Sequence, residues 1–149
     1  MSDELKGKKI AIIAADGVEQ VELEDPRQAV EDAGAETELL SIEAGEIQAV
    51  EHDIEPTEKV TVDKTVADAS VDDYDGLILP GGVGNPDKLR KEDAVIDFLQ
   101  AWFKAGKPVG VICHGPWTLV EADLVRGRTL TSQLPGRRST ARTAQAIRA

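Results

Sequence analysis

The chain has 149 residues, of which 41% are hydrophobic, and this length suits a single domain with its own apolar core. Its formal net charge of −11 repels nucleic-acid phosphates, so we expect no nucleic-acid partner. No apolar run reaches the length of a transmembrane helix, and the first residues lack the apolar region of a signal peptide. The single cysteine, Cys113, fits a reducing compartment, and we therefore expect a cytoplasmic protein that has no membrane partner.

The first 41 residues predict a βαβ unit. Residues 9–15 form an apolar run that is typical of a buried strand. Asp25 and Pro26 resemble an N-cap and a first helical position, which predicts a helix over residues 26–33. Residues 36–41 predict a second strand, and the two strands should pair in parallel through a right-handed crossover.

In the middle of the chain, the alternation of buried strand and helix is interrupted by a polar region before the next buried strand. Residues 43–66 alternate with period two around Pro56, which predicts a short antiparallel excursion at a sheet edge. Residues 66–75 are acidic and rich in turn formers, with room for a short helix. Residues 76–79 predict a third buried strand, and the double glycine that follows permits close approach of the backbone.

A strongly amphipathic helix follows, for which Asp93 is the expected cap. Its apolar face is expected to contain four residues: Ile96, Leu99, Trp102 and Phe103. Residues 116–122 predict a further helix, and residues 128–131 predict a last short strand. Strands and helices alternate, so we expect an α/β fold with a doubly wound sheet whose ligand crevice lies at the carboxyl ends of the strands.

The most informative stretch is residues 109–116, V-G-V-I-C-H-G-P. A buried strand should deliver Cys113 to a tight turn, and Pro116 is well placed to begin a helix. The start of that helix would favour a thiolate. Cys113 could equally be a small apolar residue of a buried strand, a common role for cysteine. The reactive interpretation is favoured because the loops at 16–22 and 81–87 should open onto the same sheet edge.

Five segments in order resemble the PfpI branch of the DJ-1/PfpI superfamily, whose fold is related to class I glutamine amidotransferases. They read D-G-V-E-Q-V-E-L, L-I-L-P-G-G, N-P-D-K-L-R, A-G-K-P-V-G-V-I-C-H-G-P-W and V-R-G-R-T-L-T-S, and the match spans about residues 8–132. The resemblance implies a flavodoxin-like sandwich with a mostly parallel sheet. It also implies a homo-oligomer with no metal and no organic cofactor.

The resemblance assigns roles to individual residues. Cys113 matches the nucleophile, and His114 matches the general base. Glu19 matches the acid that lies beside the thiol and hydrogen-bonds to it. The backbone N–H groups of Gly82 and His114 are placed to form an oxyanion hole. In the family, an adjacent subunit supplies a carboxylate to the histidine, and Asp87 holds the nearest equivalent position in this sequence. Asp87 could equally be the N-cap of the next helix.

The function that the resemblance implies is cysteine-dependent hydrolysis at a carbonyl or amide carbon, within a stress-response family. The family includes peptidase, deglycase and glyoxalase-like activities on peptides or small carbonyl compounds. An alternative is a non-enzymatic redox sensor or chaperone that uses oxidation of a low-pKa Cys113. A glutamine amidotransferase is disfavoured, because the His-x-Glu that lies downstream of the cysteine in that class is absent, and His52 and His114 are the only histidines. His52 is expected to be a solvated loop residue without metal partners.

The end of the chain departs from the family pattern, so we divide the chain into a PfpI-like domain, residues 1–132, and an atypical tail, residues 133–149. From Arg126 onward there are six Arg and no acidic residue, in a chain whose acidic surface otherwise resembles that of halophilic proteins. The tail suggests a shifted reading frame or a truncation, with loss of the last strands and helix of the family fold. Such a loss would leave a sheet edge and an apolar face uncovered.

Overall fold

The computed structural model describes residues 3–132 and 145–148. The strands of these residues are β1 (Lys9–Ile13), β2 (Val18–Glu19), β3 (Glu36–Ser41), β4 (Gly45–Glu51), β5 (Glu55–Val62), β6 (Lys64–Thr65), β7 (Gly76–Leu79), β8 (Val109–Val111), β9 (Thr129–Ser132) and β10 (Gln145–Arg148). Their helices are α1 (Gln20–Asp32), α2 (Gly84–Leu89), α3 (Asp93–Lys104) and α4 (Pro116–Glu121). Two 3₁₀ turns, Val66–Asp68 and Val71–Asp73, occupy the stretch where a short helix was expected.

The central sheet has five parallel strands in the order β6-β3-β1-β7-β8. Strands β3 and β7 have the bounds that the sequence predicted. One apolar cluster contains Leu40, Leu79, Leu99 and Trp102, and a second contains Ile12, Leu23 and Leu39. The doubly wound α/β fold is thereby confirmed, and its parallel strands bring their carboxyl ends to one edge.

The antiparallel excursion is present, but it is not an extension of the central sheet. Strands β4 and β5 pair with each other, and β2 joins β4 in parallel to complete a separate three-stranded sheet. Pro56 lies within β5, opposite Val50, and the turn of the hairpin is formed by residues 52–54. Proline is tolerated there because β5 is the edge strand of this small sheet.

Helix α1 begins six residues earlier than the sequence predicted. It spans Gln20–Asp32 with Pro26 in its interior, so Asp25 is not an N-cap. Pro26 lacks an N–H group and leaves the carbonyl of Glu22 without its usual intrahelical donor. The burial of Leu23, which is 1% exposed, holds the first turn against the core in spite of that loss.

Helix α3 buries a face that is shifted from the expected one. Leu99 and Trp102 are buried as expected, whereas Ile96 and Phe103 are only partly buried. Val95 and Phe98 take the remaining core positions, and the Phe98 ring stacks on Trp102 at a centroid distance of 6.0 Å. The helix begins at Asp93 with Glu92 as the N-cap, so Asp93 is not the cap.

Strand β8 is less buried than its apolar sequence indicated. It is the last strand of the central sheet among the described residues, with Gly110 exposed and Val109 and Val111 half-buried. Strand β9 pairs antiparallel with β10, and residues 133–144 and 149 of the tail lie outside the described residues. Within residues 3–132 and 145–148, no helix is long and apolar enough to cross a membrane.

Truncation of a core residue of α3 tests this packing. Leu99 is fully buried, so Leu99→Ala should reduce the free energy of unfolding by about 2–5 kcal/mol through lost apolar contacts and a residual cavity. Val120→Ala is a matched control because Val120 is 49% exposed, and its effect should stay within about 0.5 kcal/mol. Urea unfolding measures both, and equal effects would contradict the core described here.

Candidate active site

Cys113 lies in a strained turn between β8 and α4. Its φ of +56° is in the left-handed region, which non-glycine residues rarely adopt. The turn is held by hydrogen bonds from Ile112 N–H to the Leu79 carbonyl, at 3.0 Å, and from Gly115 N–H to the Ile112 carbonyl, at 2.8 Å. The turn therefore fixes the half-buried thiol at the carboxyl end of the sheet.

Gly81 allows two other segments to approach the thiol. A Cβ atom at this position would lie 2.5 Å from Glu22 Oε2, 2.6 Å from the Cβ of Cys113 and 2.8 Å from the Ile112 carbonyl oxygen, so the backbone around the thiol would have to shift. The Gly81 N–H donates to Glu22 Oε2 at 2.8 Å. The double glycine thus serves the close backbone approach that the sequence predicted.

The acid beside the thiol is Glu22, and the expectation that Glu19 occupies this position is wrong. The Glu22 carboxyl hydrogen-bonds with the Cys113 side chain. Glu19 instead accepts hydrogen bonds from the backbone N–H groups of His52, at 2.9 Å, and Asp53, at 3.0 Å. The match to the family pattern selected the wrong glutamate of the segment E-Q-V-E. A helix predicted only from Pro26 gave no signal for Glu22, whereas the observed helix from Gln20 places it in the first turn.

The pKa values of the pair do not follow the sequence expectation of a lowered thiol pKa. Burial raises the pKa of Cys113 from its ordinary 9.0 to about 12, and the charge and hydrogen bond of Glu22 add to the rise. Burial likewise raises the pKa of Glu22 above its ordinary 4.5. Helix α4, whose start was expected to favour the thiolate, spans only Pro116–Glu121.

His114 is a second side-chain neighbour of the sulfur. Its Nδ1 is 3.1 Å from Cys113 Sγ, and its ring packs edge-on against Trp117 at a centroid distance of 4.8 Å. Burial lowers the pKa of His114, and the charge of Asp53 opposes that change. Among the described residues, His114 Nε2 is the one buried side-chain nitrogen or oxygen that has no hydrogen-bond partner. The imidazole is therefore held neutral with one nitrogen directed at the thiol.

Two backbone N–H groups also face the sulfur. Hydrogen bonds from the backbone of Gly82 and His114 lower the pKa of Cys113, in opposition to burial and Glu22. Gly82 has a φ of +76°, and a Cβ atom there would lie 2.6 Å from the Gly17 carbonyl oxygen. These are the two groups that the sequence assigned to an oxyanion hole.

Asp87 is not an N-cap and does not contact His114 within the described residues of the chain. It lies inside α2, whose N-cap is Val83. Its carboxylate forms ion pairs with Arg90, at 2.8 Å, and Lys91, at 2.7 Å. The hydrogen bond from Lys91 is the main cause that lowers the pKa of Asp87.

The hairpin tip contains one group of side chains with metal-ligand chemistry, which the sequence analysis did not expect. Glu51, His52 and Glu55 each offer a ligand atom, and these atoms lie within 4.8 Å of one another. All three side chains are exposed, as is usual for surface carboxylates that hold no ion. Carboxylate oxygens and an imidazole nitrogen are ligand types that divalent cations use in proteins.

Comparison with known proteins assigns the chain to a family. The family model described as "DJ-1/PfpI family" matches residues 8–146. The chain belongs to the DJ-1/PfpI family. A protein of Bacillus subtilis named "Putative cysteine protease YraA" is 39% identical over 124 residues, which are 83% of this chain and 70% of that protein. "Uncharacterized protein SERP1413" of Staphylococcus epidermidis is 44% identical, with the same coverage of both chains.

Solved structures of DJ-1/PfpI proteins share the fold. A two-domain protein of Anabaena variabilis with DJ-1/ThiJ/PfpI-like and ferritin-like domains is 32% identical, with a TM-score of 0.77. The match covers 84% of this chain but only 35% of that protein. Oxidised DJ-1 of Toxoplasma gondii is 23% identical, with a TM-score of 0.74 over 87% of this chain and 68% of that chain, which shows the fold alone.

The contact between Glu22 and Cys113 predicts an unusual pH dependence of thiol alkylation. The pair should hold one proton between the raised pKa of Glu22, above 4.5, and that of Cys113, about 12. While the pair holds one proton, a constant fraction of the molecules has that proton on Glu22 and a thiolate at Cys113. The thiolate fraction therefore does not depend on pH in this window. The rate of alkylation by iodoacetamide should therefore be constant within this window. It should fall at lower pH, where the pair takes up a second proton and Cys113 is no longer a thiolate.

His114 Nδ1 is a second acceptor for the thiol proton, so Glu22→Gln is combined with His114→Ala. With neither acceptor present the rate should rise steadily with pH, as for an ordinary buried thiol, whereas His114→Ala alone retains Glu22 and should keep the flat profile. Glu24→Gln makes the same chemical change at an exposed position of α1 and should keep the flat profile. A flat profile in the double variant Glu22→Gln/His114→Ala, or a sloping one in His114→Ala, would contradict the proton shared between Glu22 and Cys113.

Proposed function

We propose that this DJ-1/PfpI chain is a cysteine-dependent hydrolase that acts on carbonyl or amide carbon. The observation that carries the proposal is the position of the Cys113 sulfur, which is 3.1 Å from His114 Nδ1 and hydrogen-bonded with Glu22. A thiol between a carboxyl group and a neutral imidazole has two acceptors for its proton, and the thiolate is the nucleophilic form.

The reaction begins when the Cys113 proton passes to His114 or Glu22. The sulfur then forms a bond with the carbonyl carbon, and the carbonyl oxygen takes up the electron pair as an oxyanion. The N–H groups of Gly82 and His114, which hydrogen-bond towards the sulfur, are close enough to stabilise that charge. Collapse of the intermediate expels the leaving group, which takes the proton, and water hydrolyses the thioester to regenerate the thiol.

We propose a carboxylate from a second copy of the chain as the partner of His114. The support is the buried Nε2 of His114, which has no hydrogen-bond partner among the described residues. Asp87 holds the position nearest to the family's acid, one residue displaced from it, and it would keep Arg90 and Lys91 as neighbours. In this arrangement full activity requires a dimer or a larger assembly.

Peptides and small carbonyl compounds, including glycated ones, both fit this chemistry. Peptidase, deglycase and glyoxalase-like activities need the same thiolate, base and oxyanion donors. Turnover assays on peptides and on small carbonyl compounds distinguish these activities. The name "Putative cysteine protease YraA" of the Bacillus subtilis relative supports the inclusion of peptides among the substrates tested.

A redox sensor is the second candidate, and the contact between Glu22 and Cys113 favours it. Two molecules of peroxide would each transfer an oxygen atom to the sulfur and leave as water, which yields a sulfinate. The Glu22 carboxyl, whose pKa burial raises, would then donate its proton to a sulfinate oxygen. Mass spectrometry after mild peroxide treatment, performed beside turnover assays, separates this function from hydrolysis.

Substitution of the nucleophile and the base tests the hydrolase directly. Cys113→Ala should abolish turnover of methylglyoxal adducts or peptides, because no other cysteine is present in the chain. His114→Ala should lower kcat by about 10²–10⁴-fold, as expected for loss of a general base. Steady-state kinetics on a substrate panel measure both, and unchanged turnover in Cys113→Ala would overturn the mechanism.

A further inference from the structure

The tip of the β4–β5 hairpin is fixed to the start of helix α1. His52 and Asp53 have φ angles of +53° and +65°, so both residues adopt the left-handed conformation. The Glu19 carboxylate accepts one hydrogen bond from each of their backbone N–H groups, at 2.9 Å and 3.0 Å. A single carboxylate thus holds two consecutive strained residues, although the tip itself is exposed.

The hairpin tip also contacts the turn that follows β7, which contains Gly81 and Gly82 and lies beside the thiol. Asp53 Oδ1 accepts a hydrogen bond from the Val83 backbone N–H at 3.0 Å. Val83 directly follows Gly82, whose own backbone hydrogen-bonds with Cys113. The Asp53 side chain is therefore one residue away from a group that stabilises the thiolate. It restrains the Gly82–Val83 peptide unit, which adjoins the Gly81–Gly82 unit that carries the Gly82 N–H.

We propose that Asp53 is a positioning residue of the site, which anchors Val83 so that the Gly82 N–H remains directed at the Cys113 sulfur. Glu19 acts through Asp53, because it holds the tip in the conformation that lets the carboxylate reach Val83. The proposal deepens the role of Cys113 as the proposed nucleophile. It also gives Glu19 a function that does not require contact with the thiol.

Asp53 has a second effect that must be separated from positioning. Its negative charge raises the pKa of His114 and opposes the effect of burial. Asn at position 53 removes the charge but retains an oxygen that can accept from the Val83 N–H, whereas Ala removes both. The pair Asp53→Asn and Asp53→Ala therefore distinguishes the hydrogen bond from the charge.

The experiment measures the rate of Cys113 alkylation by iodoacetamide at neutral pH. In Asp53→Ala the rate should fall about 3- to 10-fold, the range expected for loss of one well-placed hydrogen bond to the thiolate. Asp53→Asn should restore the rate to within about twofold of the wild type. Asp97→Ala and Asp97→Asn make the same changes at an exposed position of α3 and should leave the rate unchanged.

A spectroscopic readout tests the positioning directly. The amide resonance of Gly82 in ¹H–¹⁵N spectra should move in Asp53→Ala and stay near its wild-type position in Asp53→Asn. The resonances of α3 should be unchanged in both variants, which also shows that the domain remains folded. A wild-type rate and Gly82 resonance in Asp53→Ala, or an equal loss in Asp53→Asn, would overturn the proposal.

A double-mutant cycle tests the link to Glu19. Glu19→Gln places an N–H₂ group against one of the two backbone donors, so it should slow alkylation when Asp53 is present. In the Asp53→Ala background it should have little further effect, because the residue through which it acts is gone. Additive losses would contradict the link. Thiol alkylation needs no substrate, so a failure of the hydrolase assays would leave these results interpretable.

Discussion

The crowding of backbone around the Cys113 sulfur is the constraint on which the site depends. The turn after β7, the turn after β8 and the first turn of α1 meet there, and side chains at Gly81 or Gly115 would collide with them. A Cβ atom at Gly115 would lie 2.9 Å from the Leu79 carbonyl oxygen. The same close packing brings Glu22 and the Gly82 N–H within hydrogen-bond distance of the thiol. The packing that requires glycine at these positions therefore also places the groups that act on the thiol.

The electrostatics follow from that packing. Burial penalises a charge on either Cys113 or Glu22, and two negative charges in contact would add a repulsion. The pair is therefore best described as one acidic site that holds one proton, rather than as a thiol with a lowered pKa. Neutral His114 and the backbone donors then decide how the proton is distributed.

The sequence predicted the sheet and the thiol turn but misplaced the acid. Apolar runs and glycine stops are local signals, so β3, β7 and the position of Cys113 could be read from them. The start of α1 could not, because Pro26 resembles a first helical position and the burial of Leu23 is a tertiary effect. The acid was misassigned separately, because the match to the family pattern selected Glu19 instead of Glu22. The contact between Asp53 and Val83 joins segments 30 residues apart, and no local pattern predicts it.

The central claim is that Glu22 and Cys113 together hold one proton, and proton release during alkylation tests it most directly. Iodoacetamide should be added at mildly alkaline pH in weak buffer, and the protons released should be counted against the Cys113 modified. We expect one proton to be released per cysteine alkylated, under conditions where the rate of alkylation does not depend on pH. Release of no proton would mean that the thiolate and an ionised Glu22 already coexist, and it would contradict the account.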